Sequence, residues 1–247
     1  MSLALKLALA PVLIAQAVAT RRRAPVLPEA AGDREGLLGA GSDPLHLLIA
    51  GDSSAAGVGV AHQDQAFVGH LSRALQRRLD RPIRWSLQAR SGLTTRQVHA
   101  MLRETWGDKT LPAAQLAVVL TGVNDVIDQI GVRRAMAERV ALADWLLGER
   151  GVEHVVFAPL PPVHRFPLLP RPLRDVMGSD ARRHDEAIAR WAATRRDVSH
   201  TPIEFDLSTD AMASDGFHPG EPVYRACGEA LAAHIAGLAR FKLETHT

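Results

Sequence analysis

The stretch Leu45-His46-Leu47-Leu48-Ile49-Ala50-Gly51-Asp52-Ser53-Ser54 decides how this chain reads. A short apolar run stopped by Gly-Asp is the pattern of a buried strand breaking into a turn. A serine at such a strand end holds its hydroxyl at the carboxyl edge of a sheet, where open α/β sheets place their ligands. Gly, Asp and Ser are also ordinary turn residues, so the reading of Ser53 rests on what lies further along.

Working outward, Phe67 to Leu79 carries apolar residues at Val68, Leu71, Leu75 and Leu79, a helical stripe. Ile83 to Leu87 is a second candidate strand, followed by Gln88-Ala89-Arg90-Ser91-Gly92, and Thr94 or Thr95 caps a helix to about Trp106. Leu116 to Thr121 is the clearest strand, an unbroken apolar run of buried type, and Gly122-Val123-Asn124-Asp125 ends it. Val132 to Glu149 reads as a helix, His154 to Ala158 as a fourth strand and Leu173 to Val198 as a helix. Pro202 to Phe205 gives a short fifth strand, and Glu221 to Leu243 closes the chain as a helix. Strands alternating with helices imply a parallel sheet with right-handed crossovers and helices on both faces. The expected fold class is therefore α/β, a three-layer α/β/α sandwich on a five-stranded parallel sheet.

Two stretches fall outside that alternation. Pro159 to Pro172 holds six prolines among Leu, Val and Phe, so it cannot be a helix. It follows a strand on the ligand side of the sheet, where its apolar residues either form a lip over a site or pack on the core. Ala24 to Pro44 carries three Pro and four Gly with few apolar residues in register and reads as a linker. The expected division is an apolar N-terminal segment over 1–23, that linker over 24–44, and one α/β domain over 45–243.

The N-terminal segment supports three readings. Met1 to Thr20 is apolar apart from Ser2, Lys6, Gln16 and Thr20 and ends against Arg21-Arg22-Arg23. A secretory signal uses Lys6 as its charged start and Ala17-Val18-Ala19 as a cleavage site, which would make the protein periplasmic or secreted. A membrane-spanning helix fits the length only just, with Lys6 and Pro11 against it. An apolar helix lying in the interface, held by the arginines to anionic lipid, is the third. Attachment to a membrane through residues 1–23 is the favoured expectation.

Composition excludes some functions. The chain of 247 residues has a formal charge of only +2, and its arginines are dispersed over helix-like segments apart from Arg21 to Arg23. Aromatic residues make up 4%, so the basic stripe with stacking aromatics that nucleic acid requires is missing. The single cysteine, Cys227, excludes an internal disulfide and any cysteine-based zinc site. Gly57-Val58-Gly59 lacks the third glycine of a dinucleotide loop, because position 62 is His, and no Gly-Lys-Ser/Thr phosphate loop occurs. No cofactor and no metal are expected, and the remaining histidines read mostly as surface residues.

The chemistry gathers at strand ends: Ser53 after the first, Gly92 after the second, Asn124 after the third. In a parallel sheet those ends share one edge. Asp215-Gly216-Phe217-His218-Pro219 precedes the last helix, and an Asp and His three apart share a face if that loop takes a helical turn. His218 then serves as base to Ser53 while Asp215 orients it, the roles a serine triad requires. Backbone N–H groups at Ser53 and Gly92 with the Asn124 amide supply donors for an oxyanion hole.

These segments resemble the SGNH subgroup of the GDSL-type esterases and lipases, named for Ser, Gly, Asn and His from four sequence blocks. The resemblance covers roughly Leu45 to Leu238. The first block reads Gly51-Asp52-Ser53-Ser54, with Ser54 where the family name has Leu. Gly92 is the second block, Gly122-Val123-Asn124-Asp125 the third, and Asp215-Gly216-Phe217-His218-Pro219 the last. The resemblance implies a flavodoxin-like sheet and catalytic Ser53, Asp215 and His218. It also implies an oxyanion hole of Ser53, Gly92 and Asn124, and hydrolysis of a small-molecule or lipid ester through an acyl-serine. Three alternatives stay open: an O-acyltransferase on the same triad, a metal-dependent phosphoesterase with Asp52, Asn124, Asp215 and His218 as ligands, and a binding module without catalysis.

Overall fold

Burial along the central strands alternates between two faces, so both faces of the sheet must be covered. Leu47 and Ile49 point into one apolar cluster and Leu48 and Ala50 into the other, all at most 1% exposed. The structure is a computed structural model and describes residues 3–106, 114–204 and 206–244. In chain order the elements are α1 (Leu3–Arg23), β1 (Glu35–Leu38), β2 (Leu45–Gly51), α2 (Ser53–Ala56), α3 (Phe67–Leu79), β3 (Ile83–Ala89) and α4 (Thr95–Trp106). They continue as β4 (Leu116–Leu120), α5 (Val123–Ile127), α6 (Val132–Gly148), β5 (His154–Phe157), α7 (Leu173–Ala192), β6 (Val198–His200) and α8 (Glu221–Glu244).

The six strands are ordered β1-β3-β2-β4-β5-β6. All neighbours from β3 to β6 are parallel, and without β1 the order is the flavodoxin-like one. Helices α2, α3 and α8 cover one face, and α4, α6 and α7 the other. The strand order reverses at β2, between β3 and β4, so the loops after these three strands meet at one edge.

Three expectations are corrected. The sheet has six strands, not five, because β1 pairs antiparallel with β3 from Glu35↔Ser86 to Leu38↔Ile83. Residues 24–44 are therefore not a free linker but carry an edge strand of the domain. The last strand is Val198–His200, paired to β5 as Val155↔Val198 through Phe157↔His200, and the helix before it stops at Ala192. Pro202 to Glu204 is irregular, and Phe205 lies outside the described residues.

Helix α1 lies against α7. Lys6 Nζ meets Asp180 Oδ2 at 2.5 Å, Gln16 Nε2 donates to the Arg171 carbonyl at 2.6 Å, and Leu173 N donates to Gln16 Oε1 at 3.1 Å. Among the described residues no helix is long and apolar enough to cross a membrane.

Candidate active site

Ser53 is the first residue of α2, two residues beyond the end of β2. The turn is fixed from both sides: Asp52 N donates to the Leu120 carbonyl at the end of β4 (3.1 Å), and Asp52 Oδ1 accepts the Ser54 N–H (3.0 Å). Gly51 is demanded by closeness, since a Cβ there would stand 2.3 Å from the Leu120 oxygen. The serine hydroxyl is thereby held at the carboxyl edge with little backbone freedom.

His218 reaches this hydroxyl from the loop before α8. Its Nε2 lies 3.1 Å from Ser53 Oγ, and its Nδ1 lies 2.5 Å from Asp215 Oδ2. The other carboxylate oxygen, Oδ1, accepts the backbone N–H groups of Phe217 and His218, each at 2.9 Å. The Asp-x-x-His segment is thus wrapped around its own carboxylate. Burial alone would raise the Asp215 pKa, but the His218 ring and these two N–H donors outweigh it and hold it below its ordinary value. A carboxylate on Nδ1 keeps the ring proton there and leaves Nε2 free to accept from serine. Phe217 packs edge-on against the His218 ring at 5.2 Å, and Phe166 against Phe217 at 5.1 Å.

Gly92 sits beside this line with φ +80°, in the left-handed region, and no atom lies within 4 Å of where a Cβ would project. Its backbone conformation, not crowding, favours glycine. Among the described residues the N–H groups of Ser53 and Gly92 have no protein acceptor. Asn124, in α5, is differently placed. Its amide donates to the Leu93 carbonyl at 3.0 Å and, at a longer 3.3 Å, to Asp52 Oδ2. Burial pushes the Asp52 carboxyl up to about 7, against the opposing effect of the Ser54 N–H.

Asp125, next in sequence, acts on structure. Its side chain is buried and accepts from Thr95 N (3.0 Å), Thr95 Oγ1 (2.6 Å) and the fully buried Arg139 Nη2 (2.9 Å). It ties the start of α4, behind the Gly92 loop, to α5 and α6.

Sequence reasoning missed the segment from 24 to 34. Glu29 Oε1 accepts the N–H of Ser91, next to Gly92, at 2.7 Å. Arg34 pairs with Glu29 Oε2 at 2.6 Å and donates to the Ala89 carbonyl at 2.7 Å. Ala30 N donates to the Ala56 carbonyl at the end of α2 (3.2 Å), and Gln63 Nε2 bonds both the Ala30 and Ala56 carbonyls. A strap therefore fastens the Ser53 helix to the Gly92 loop. The lone signal for it was an acidic and a basic residue five apart in a Pro- and Gly-rich stretch, too weak to read.

A cavity of about 470 Å³ opens onto Ser53, Gly92, Asn124 and His218, within the range usual for small-molecule sites. Residues Arg21 and 24–27 stand at its mouth, and Pro159, Leu160, Pro161 and Phe166 form another wall. The proline-rich loop thus does both things expected of it, since Val163, Phe166 and Leu169 are also buried in the core. Histidines depart from expectation: His154 and His184 are buried, 5% and 2% exposed. Among the described residues no three His, Cys, Asp or Glu side chains gather as metal ligands.

Fold and site define a class: a flavodoxin-like α/β/α protein with a serine–histidine–aspartate line at the carboxyl edge of its sheet. The model of the GDSL-like Lipase/Acylhydrolase family matches residues 49–226, and the chain belongs to that family. It is 29% identical over 205 residues to a GDSL-like esterase of Mycobacterium tuberculosis, a match taking in 79% of this chain and 61% of that relative's length. Among solved structures it resembles a lipase from a goat rumen metagenome, with a TM-score of 0.62 at 19% identity over 78% of this chain and 98% of that one. A family 3 carbohydrate esterase of Clostridium thermocellum gives a TM-score of 0.61 at 14% identity, over 81% and 99% of the two chains. At such identities these two likenesses speak for the fold alone.

Proposed function

We propose that this protein hydrolyses carboxylic esters through an acyl-enzyme on Ser53. The observation that carries the reading is the unbroken line from Asp215 Oδ2 through the His218 ring to Ser53 Oγ. Ser53 Oγ attacks the ester carbonyl carbon as its proton passes to His218 Nε2, and Asp215 stabilises the imidazolium. The N–H groups of Ser53 and Gly92, with the Asn124 amide turned from Asp52, receive the oxyanion. His218 then gives its proton to the departing alkoxide and later draws one from water, which releases the acid and restores Ser53. Family membership supports the reading. A fluorophosphonate probe is expected to attach to Ser53, located by peptide mass spectrometry; attachment to another serine, or none, would contradict it.

An O-acyltransferase shares the first half of this cycle and differs in the group that takes the acyl chain. Hydrolysis measured in rising glycerol separates the two: water as acceptor predicts acid as the main product throughout.

Contact with a lipid surface through α1 is a second reading with its own observation. Leu7, Val12, Ile14, Val18 and Val26 are 45–99% exposed, and Arg21, Arg22 and Arg23 close the helix beside them. Apolar groups beside arginines suit an anionic interface. Flotation of the full chain with vesicles containing phosphatidylglycerol tests it; equal recovery with and without vesicles would exclude it.

A further inference from the structure

We infer that Arg21, at the end of α1, recognises a negatively charged group on the substrate, so that the esters this site favours carry a carboxylate or a phosphate. This rests on the esterase reading and adds the substrate class. Helix α1 ends on three arginines, and of these Arg21 alone lines the cavity that opens onto Ser53. The chain then continues along the same mouth through Ala24, Pro25, Val26 and Leu27.

The backbone of Arg21 is fixed from both sides. Ahead of it, Gln16 donates to the Arg171 carbonyl and accepts from Leu173 N at the start of α7, while Leu13 packs against the core. After it, Ala24 N donates to the Thr20 carbonyl at 2.9 Å. The strap that follows is fastened at Glu29 to the Ser91 N–H and at Ala30 to the end of α2. An arginine is therefore carried at the mouth by elements that are themselves tied to the site.

Its charge has no counterpart there. Among the described residues the Arg21 side chain has no hydrogen-bond or ion-pair partner, and no lysine, glutamate or second arginine lines the cavity. The one carboxyl on that wall, Asp52, is buried and already accepts the Ser54 N–H and the Asn124 amide. Glu29, nearby on the strap, is taken by Arg34 and Ser91. A guanidinium offers paired N–H donors that match the oxygens of a carboxylate or phosphate. One unopposed cation at the mouth of a cleft also draws anions toward it. The same chemistry would receive a soluble anionic ester or the headgroup of an anionic lipid, and the experiment separates these sources.

The test uses the full chain and soluble ester pairs that differ by one charge. These are p-nitrophenyl monoesters of dicarboxylic acids of six to eight carbons against their methyl-capped counterparts, and 4-acetoxybenzoate against its methyl ester. The quantity read is the ratio of kcat/KM for the charged ester to that for the neutral one, compared between variants so that intrinsic reactivity cancels. In Arg21→Gln the ratio should fall about 2- to 5-fold in at least one series, the worth of a partly exposed charge pair. Arg21→Glu should lower it at least ~5-fold, and Arg21→Lys should keep part of it, having the charge without the fork. Raising NaCl from about 0.05 to 0.5 M should reduce the wild-type ratio far more than that of Arg21→Gln. A ratio that is the same in wild type and all three variants overturns the inference and leaves the esterase reading standing. So does a preference confined to vesicles of phosphatidylglycerol over phosphatidylcholine, which would give Arg21 to the lipid surface and not to the substrate. Absence of hydrolysis on every ester would refute the esterase reading. Calorimetry with 4-acetoxybenzoate then decides the anion alone: binding by the wild-type protein that weakens at least ~5-fold in Arg21→Glu supports it, and equal binding or none overturns it.

Discussion

The loops that follow β2, β3 and β4, together with the one before α8, and the strap that precedes them build the same site by opposite means. In the loops, the proposed chemistry asks for particular residue types: a hydroxyl at Ser53, an imidazole at His218 with its carboxylate at Asp215, an amide at Asn124. In the strap, what matters is where the chain runs. Ala30 and Ala31 work through backbone groups, and Glu29 matters because it meets the N–H beside Gly92. The first kind of contribution leaves a mark in the sequence, and the second becomes visible only when distant segments are brought together.

Substitutions probe the two kinds of contribution separately. The largest stability effect is expected at Asp125, the partner of fully buried Arg139. Asp125→Ala strands a buried guanidinium, which costs about 3–5 kcal/mol, readable as a lower midpoint in urea unfolding. An unchanged midpoint would mean that Arg139 finds another partner. At Asn124, the α5 residue that also holds a neighbour, Asn124→Ala should lower kcat about 10²- to 10³-fold with KM little changed. A variant with wild-type kcat would remove Asn124 from the oxyanion hole.

The strap should give a smaller loss of the same kind. Glu29→Ala removes the acceptor for the Ser91 N–H and the partner of Arg34. Letting the Gly92 loop drift should reduce kcat by roughly tenfold, a modest case of misplacement of catalytic groups. Arg34→Ala should resemble it. If neither variant changes kcat, the strap serves stability alone.

A further comparison concerns pH. The Asp52 carboxyl is raised to about 7 by burial, from an ordinary value near 4. A raised carboxyl costs the folded state nothing below the unfolded pKa, increasingly much between about 4 and 7, and its full amount above. Asp52→Asn removes that penalty, so the gain in Tm over wild type should be larger at pH 8 than at pH 4. A pH-independent difference would show that Asp52 ionises normally. Asp215 has the opposite sign, since its lowered pKa stabilises the fold above the unfolded value and is lost on acidification.

Much of this was legible beforehand. The runs Leu45–Gly51 and Leu116–Leu120 are buried on both faces, so uninterrupted apolar residues marked them as central parallel strands. Ser53, Gly92 and Asn124 were placed from strand ends that a parallel sheet brings to one edge, and Asp215 and His218 from an Asp-x-x-His segment before the last helix. Edge strands gave less. β6 is Val198-Ser199-His200, and its polar side chains are satisfied by tertiary partners: Ser199 by His154 and His234 at 2.9 Å, His200 by Asp185 at 2.9 Å. Nothing in three such residues announces a strand, whereas Pro202 to Phe205 looked more apolar. β1 was hidden in the same way, because Glu35 and Gly36 lie among prolines and glycines and pair through backbone groups alone. The cavity was illegible for a different reason. It lies between elements whose residues, Leu120, Ala158 and Cys227, read individually as ordinary core.

On the proposed mechanism Ser53 and His218 act as one unit at the carboxyl edge, and comparing both single variants with the double variant separates this from independent action. Ser53→Ala and His218→Ala should each remove nearly all ester hydrolysis, and the double variant should be scarcely slower than either, because a unit lost once cannot be lost again. If the two single losses instead multiply in the double variant, Ser53 and His218 contribute independently and the 3.1 Å contact between them is not the one that drives the reaction.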